Sequence, residues 1–185
     1  MTSGVPAVFL DRDGVLIEDS GYPHLEEHLR FTPGACEAVR RLNQLGYLCV
    51  VVTNQSGVAR GLFTEAQMKA FNTLLVRRMA GKQAVIGAVY ACPFHAEAID
   101  ERYRHPDHPD RKPNPGMILR AVADHHIDPA VEAQALGLEI DEGDGHVGTP
   151  IVRAGAGGAG STPRREWRSL PNRPPWRQMA GSHFP

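Results

Sequence analysis

The chain has 185 residues, a length that builds one hydrophobic core and rarely more. A formal charge of −1, with 42% hydrophobic and 22% charged residues, supplies no global basicity for nucleic acid, and no run reaches the ~18 apolar residues of a membrane helix. Three cysteines, Cys36, Cys49 and Cys92, make an odd set that argues against a disulfide framework. With no signal-peptide pattern at the N-terminus, the sequence reads as a cytoplasmic protein.

Residues 6–11 read as a short buried strand that runs into Asp-Arg-Asp-Gly. A polar loop precedes a helix over 32–47, with Pro33 in its first turn, Cys36, Val39 and Leu42 at helical spacing, and Gly46 at its end. Residues 48–54 are almost wholly apolar, as in a strand covered on both faces. A second helix spans 64–79, with Thr64 as N-cap and Gln67 three residues on. A third strand is read over 84–93, then a Pro-rich polar loop, then a third helix over 115–126 opened by Pro115. Strand and helix alternate three times, which predicts a doubly wound, mainly parallel α/β sheet. Ligands of such sheets bind at the carboxyl ends of strands, where Asp11 and Asp13, Thr53 and Asn54, and Cys92 all fall.

The pattern weakens after Pro129, with an abrupt change near residue 131. A Gly-, Pro- and Arg-rich segment follows, with six Arg and one Glu between 151 and 185. The reading therefore divides the chain into a domain over 1–148 and a disordered tail over 149–185.

Two carboxylates closing a buried run repel each other, and a divalent cation is the expected compensation. Asp11 and Asp13 suit Mg2+, a hard cation with oxygen ligands. Asp11 could attack phosphorus, and Asp13 could give a proton to the leaving oxygen and take one from water. The alternative is a strand-end turn with Gly14 at positive φ. Val15 and Leu16 exclude an EF-hand loop. Thr53 and the backbone after it could meet an anion, with Arg60 as a bidentate partner; a simple Thr-Asn turn is the competing view. Lys112, beside Arg111, could offset negative charge at the same edge or be a solvated basic residue.

Taken together, Asp-x-Asp-Gly, a strand-end Thr and a later Lys resemble the haloacid dehalogenase (HAD) superfamily of phosphatases. "FLDRDGV", "GYPH", "VVTNQSGVARGLFTEAQ" and "RKPNPGM" resemble its D-glycero-D-manno-heptose-1,7-bisphosphate 7-phosphatase and histidinol-phosphate phosphatase group, over residues 6 to about 129. The resemblance implies a Rossmann-like fold with minimal cap loops, at 19–28 and 92–111, and a monomer acting on a small phosphorylated metabolite, most directly the heptose bisphosphate. It implies Asp11 as nucleophile and Asp13 as acid/base. Thr53, Asn54 and Lys112 would hold the transferred phosphoryl group, and Arg60 and Arg111 would face the rest of the substrate.

Two departures qualify that expectation. The group's loop after the third strand often carries zinc through Cys and His; here Phe94 replaces one ligand and both later thiols are gone. The loop is read as zinc-free, the alternative being a regrouped set of Cys92, His95, His105 and His108. The superfamily's fourth motif, a Gly-Asp with a further Asp, is absent after "HHIDPA", leaving Asp141 and Asp144 as displaced candidates for the remaining metal ligand. The last sheet element is accordingly expected to be missing or altered, through a frameshift, a truncation or a divergent end. A catalytically impaired phosphate-binding or interaction protein is the rival reading.

Overall fold

Apolar runs too short for helices become the sheet. In the computed structural model, residues 4–127 are described in full, together with the backbone of residues 138–141 and 151–154. β1 (Ala7–Leu10), β2 (Leu48–Asn54) and β3 (Ala88–Cys92) form a parallel sheet in the order β1-β2-β3. Leu10 lies opposite Val51, and Asn54 opposite Cys92, so the three carboxyl ends share one edge.

α1 (Ala35–Gln44) and α2 (Glu65–Gly81) bury Val39, Phe71, Leu75 and Met79 in one cluster with Leu10, Cys49 and Val51. The intervening residues of β2, Leu48, Val50 and Val52, are buried too. Successive strand side chains face opposite sides, so β2 is covered on both faces, as its unbroken apolar run predicts. α3 (Gly116–His125) packs against β3 and β2. The alternating pattern thus folds as the expected Rossmann-like α/β layer.

Local chemistry sets the element ends. The predicted Thr64 cap forms a capping box: Gln67 N–H donates to Thr64 Oγ1 at 3.2 Å, and Thr64 N–H donates to Gln67 Oε1 at 2.8 Å. α1 begins at Ala35 rather than in the turn holding Pro33, because Gly34 caps it in a left-handed conformation with φ 81°. The third strand starts at Ala88 rather than at residue 84. Asn43, buried on α1, accepts from Val85 N–H at 2.7 Å and donates to Val85 O at 3.0 Å, so that backbone pairs with a side chain instead of a ladder.

The chain divides into two units, 1–129 and 130–185, beside the change of composition near residue 131. In the second unit β4 (Leu138–Asp141) pairs antiparallel with β5 (Ile151–Ala154), with Asp141 opposite Ile151. β5 falls inside the segment read as a disordered tail. Ile151 and Val152 are β-branched and suit a strand, whereas the Gly and Arg that dominate the composition lie mostly beyond them. The remainder of that tail lies outside the described residues.

Candidate active site

Strand ends and their following loops bring Asp11, Asp13, Thr53, Asn54 and Lys112 into one hydrogen-bonded group. Asp11 follows β1 directly; its Oδ1 accepts from Arg12 N–H at 2.7 Å and its Oδ2 from Lys112 Nζ at 2.6 Å. The same ammonium donates to the Val52 carbonyl at 3.1 Å. Lys112 is held in turn by Asn54: Lys112 N–H donates to Asn54 Oδ1 at 3.0 Å, and Asn54 Nδ2 donates to Lys112 O at 3.1 Å. Asp11 and Lys112 are 24% and 16% exposed, so the pair is sheltered yet reachable.

Asp13 is gripped by its neighbour. Arg12 Nε donates to Asp13 Oδ1 at 2.8 Å and Arg12 Nη2 to Oδ2 at 3.1 Å. Gln55 Nε2 donates to Asp13 Oδ2 and to Thr53 Oγ1, each at 2.9 Å, tying the end of β2 to the loop after β1. Sequence reasoning passed over Arg12, Gln55 and Asn72. Asn72 left a signal, a polar residue among Met68, Phe71 and Leu75 on the buried stripe of α2. The like charges of Asp11 and Asp13 are each met by a protein cation, Lys112 and Arg12.

Arg60 and Arg111 gather around His95. Arg60 Nη2 lies 3.3 Å from His95 Nε2 and 3.5 Å from Glu97 Oε2, while Arg111 Nη1 donates to the Phe94 carbonyl at 3.1 Å. Arg60 Nε is buried without a partner among the described residues. Burial, and then the charges of Arg111 and Arg60, push the His95 pKa below its ordinary value.

The alternative zinc residues are not assembled. Cys92 Sγ is 4.0 Å from His108 Nδ1, but His108 stacks on Phe94 at 3.9 Å, His105 meets it edge-on at 5.1 Å, and His95 turns to Arg60. Burial raises the pKa of the Cys92 thiol. Among the described residues, no group of three or more His, Cys, Asp or Glu is placed to hold a metal. The Asp141 side chain and Asp144 lie outside those residues. Asp11 and Asp13 themselves fit Mg2+, which is commonly bound by one or two carboxylates, with phosphate and water completing the shell. All their oxygens except Asp13 Oδ2 accept from a single donor and keep acceptor capacity.

Comparison with solved structures gives the class. A HAD-like phosphatase candidate from Mesorhizobium loti aligns at 36% identity with a TM-score of 0.64, covering 68% of this chain and 60% of that one. The D,D-heptose 1,7-bisphosphate phosphatase of B. bronchiseptica, complexed with magnesium and phosphate, aligns at 33% identity with a TM-score of 0.56, covering 66% and 65%. The chain thus spans less than two thirds of either solved structure. Its fold is that of the HAD-like phosphatase class.

Among curated proteins, D-glycero-β-D-manno-heptose-1,7-bisphosphate 7-phosphatase of Photorhabdus laumondii is 42% identical over 128 residues, 69% of this chain and 68% of the relative. Its counterpart in Escherichia coli K12 is 42% identical over 130 residues, covering 70% and 68%. No family model matches the chain. The chain belongs to the family of these heptose-bisphosphate phosphatases. Among the described residues, no helix is long and apolar enough to cross a membrane.

Proposed function

We propose that the chain is a Mg2+-dependent phosphomonoesterase acting on a small sugar phosphate, with D-glycero-D-manno-heptose 1,7-bisphosphate the first candidate. The Lys112–Asp11 contact carries the reading, since an ammonium beside this carboxylate suits its role as the nucleophile. One Asp11 oxygen forms the bond to phosphorus while the ester P–O bond breaks, and Asp13 delivers its proton to the departing oxygen. Water then attacks the aspartyl phosphate and loses a proton to Asp13; inorganic phosphate leaves and Asp11 is restored. Lys112 and Thr53 flank the transferred group, and Lys112 answers its negative charge throughout. Arg60 and Arg111, both near His95, suit the remaining phosphate or hydroxyls of the substrate. Mg2+ held through Asp11 would neutralise phosphate charge when bound.

The relatives' names support the substrate, and the free cysteines fit a reducing compartment such as the cytoplasm. Purified protein with Mg2+ is to be assayed for phosphate release from the heptose bisphosphate and from histidinol phosphate. Release no greater than that of Asp11→Asn would overturn the proposal. The rival, a phosphate-binding protein without turnover, draws on the lack of a third carboxylate among the described residues. Phosphate binding by calorimetry without turnover would favour it.

A further inference from the structure

Arg12 has no task in the chemistry above, yet it is the most completely enclosed charge among the described residues, with none of its surface exposed. Every guanidinium nitrogen is engaged. Beyond its fork on Asp13, Nη1 donates to Asn72 Oδ1 at 2.8 Å, and Nη2 donates to Pro23 O at 2.9 Å and Gln55 Oε1 at 2.8 Å. Its carbon centre lies 4.9 Å from the Phe71 ring centroid. A buried ion pair is poor evidence for a stability role, because well-packed apolar residues often serve as well or better. A fork fixes what an apolar side chain cannot, namely the plane and rotation of the carboxylate it grips.

The donors around Asp13 are unequal. Oδ2 accepts from both Arg12 Nη2 and Gln55 Nε2, whereas Oδ1 accepts from Arg12 Nε alone. We infer that Arg12 is the positioning residue of Asp13: anchored on α2 through Asn72 and on the 19–28 loop through Pro23, it saturates Oδ2 together with Gln55 and leaves Oδ1 as the oxygen that exchanges the proton. The inference rests on the proposed function and deepens it. The fully buried Arg12 guanidinium bears on the chemistry through the Asp13 carboxylate it grips.

Leaving-group dependence separates this role from a purely structural one. A sugar phosphate expels an alkoxide and needs the Asp13 proton. 4-Nitrophenyl phosphate expels a stable phenolate and hardly needs it. kcat/KM reports the first transfer, in which that oxygen departs. The variants are Arg12→Met and, because a buried cation is being removed, Asn72→Leu, which takes away only one anchor. Each full-length protein is assayed with Mg2+ on D-glycero-D-manno-heptose 1,7-bisphosphate and on 4-nitrophenyl phosphate. Arg12→Met is expected to lose about a hundredfold in kcat/KM on the sugar phosphate and less than about threefold on the aryl ester. Asn72→Leu is expected to show the same split at about tenfold on the sugar phosphate. Equal losses on the two esters overturn the inference, and Asn72→Leu decides alone if Arg12→Met does not fold. A wild-type chain inactive on both esters overturns the proposed function, and the inference with it; wild-type activity with equal losses overturns the inference only.

Discussion

Lys112 Nζ and Asp11 Oδ2 meet at 2.6 Å although 101 positions separate them in the chain. The contact closes the site between β1 and the loop before α3. Replacing Lys112 by Met keeps the stem and removes the charge, and kcat on the heptose bisphosphate is expected to fall by about 10²–10³-fold. Steady-state kinetics check it; a loss under about fivefold would show that Lys112 is not used in the transition state.

Arg12 and Lys112 balance Asp13 and Asp11 within the protein itself. The fold is therefore expected to form without a cation between the carboxylates, unlike a structural zinc domain, whose fold depends on its metal. Chelation with EDTA is expected to abolish turnover while the thermal midpoint shifts by less than about 2 °C, within the small-effect range for a domain of this size. Differential scanning calorimetry with and without chelator tests this, and unfolding on chelation would contradict it.

The Cys49 thiol, buried on β2, is pushed up to about 12 from 9.0 by burial, against a smaller lowering from its contact with Asn43. The folded value is the higher one, so this thiol's contribution is complete below the unfolded value. It is lost as pH rises from about 9 toward 12, where only the unfolded chain ionises. Wild type should lose up to about 1.4 kcal/mol more per pH unit than Cys49→Val in that window. Urea titrations at about pH 8 and about pH 10.5 measure the difference, and parallel losses in the two proteins would refute it.

Thr64→Ala removes the acceptor of the Gln67 N–H and is expected to cost about 1 kcal/mol. Thr64→Ser should retain most of it. Urea denaturation resolves the two.

What the sequence disclosed tracks how local the cause is. β2 is legible because burial on both faces writes a continuous apolar run, and the start of α2 because Thr64 and Gln67 are three residues apart. The start of β3 is not, because it depends on Asn43, 42 positions upstream. Asp11, Asp13, Thr53 and Asn54 stand out as strand-end residues, and Lys112 as a cation of matching chemistry. Arg12 and Gln55 do not, since their partners at Asn72 and Asp13 lie 60 and 42 positions away and buried polar pairing has no period. The role expected of Asp141 and Asp144 lies beyond the described residues.

Asn54 ends β2, and its carboxamide presents one donor and one acceptor, the same pair that a peptide group offers. By exchanging both bonds with the backbone of Lys112, it adds a rung to the sheet beyond the last strand residue. Lys112 is therefore a loop residue with the placement of a sheet residue, and its ammonium inherits the stiffness of β2. Asn54→Asp would turn that rung into a lone acceptor facing a carbonyl, leaving the lysine present but free to swing.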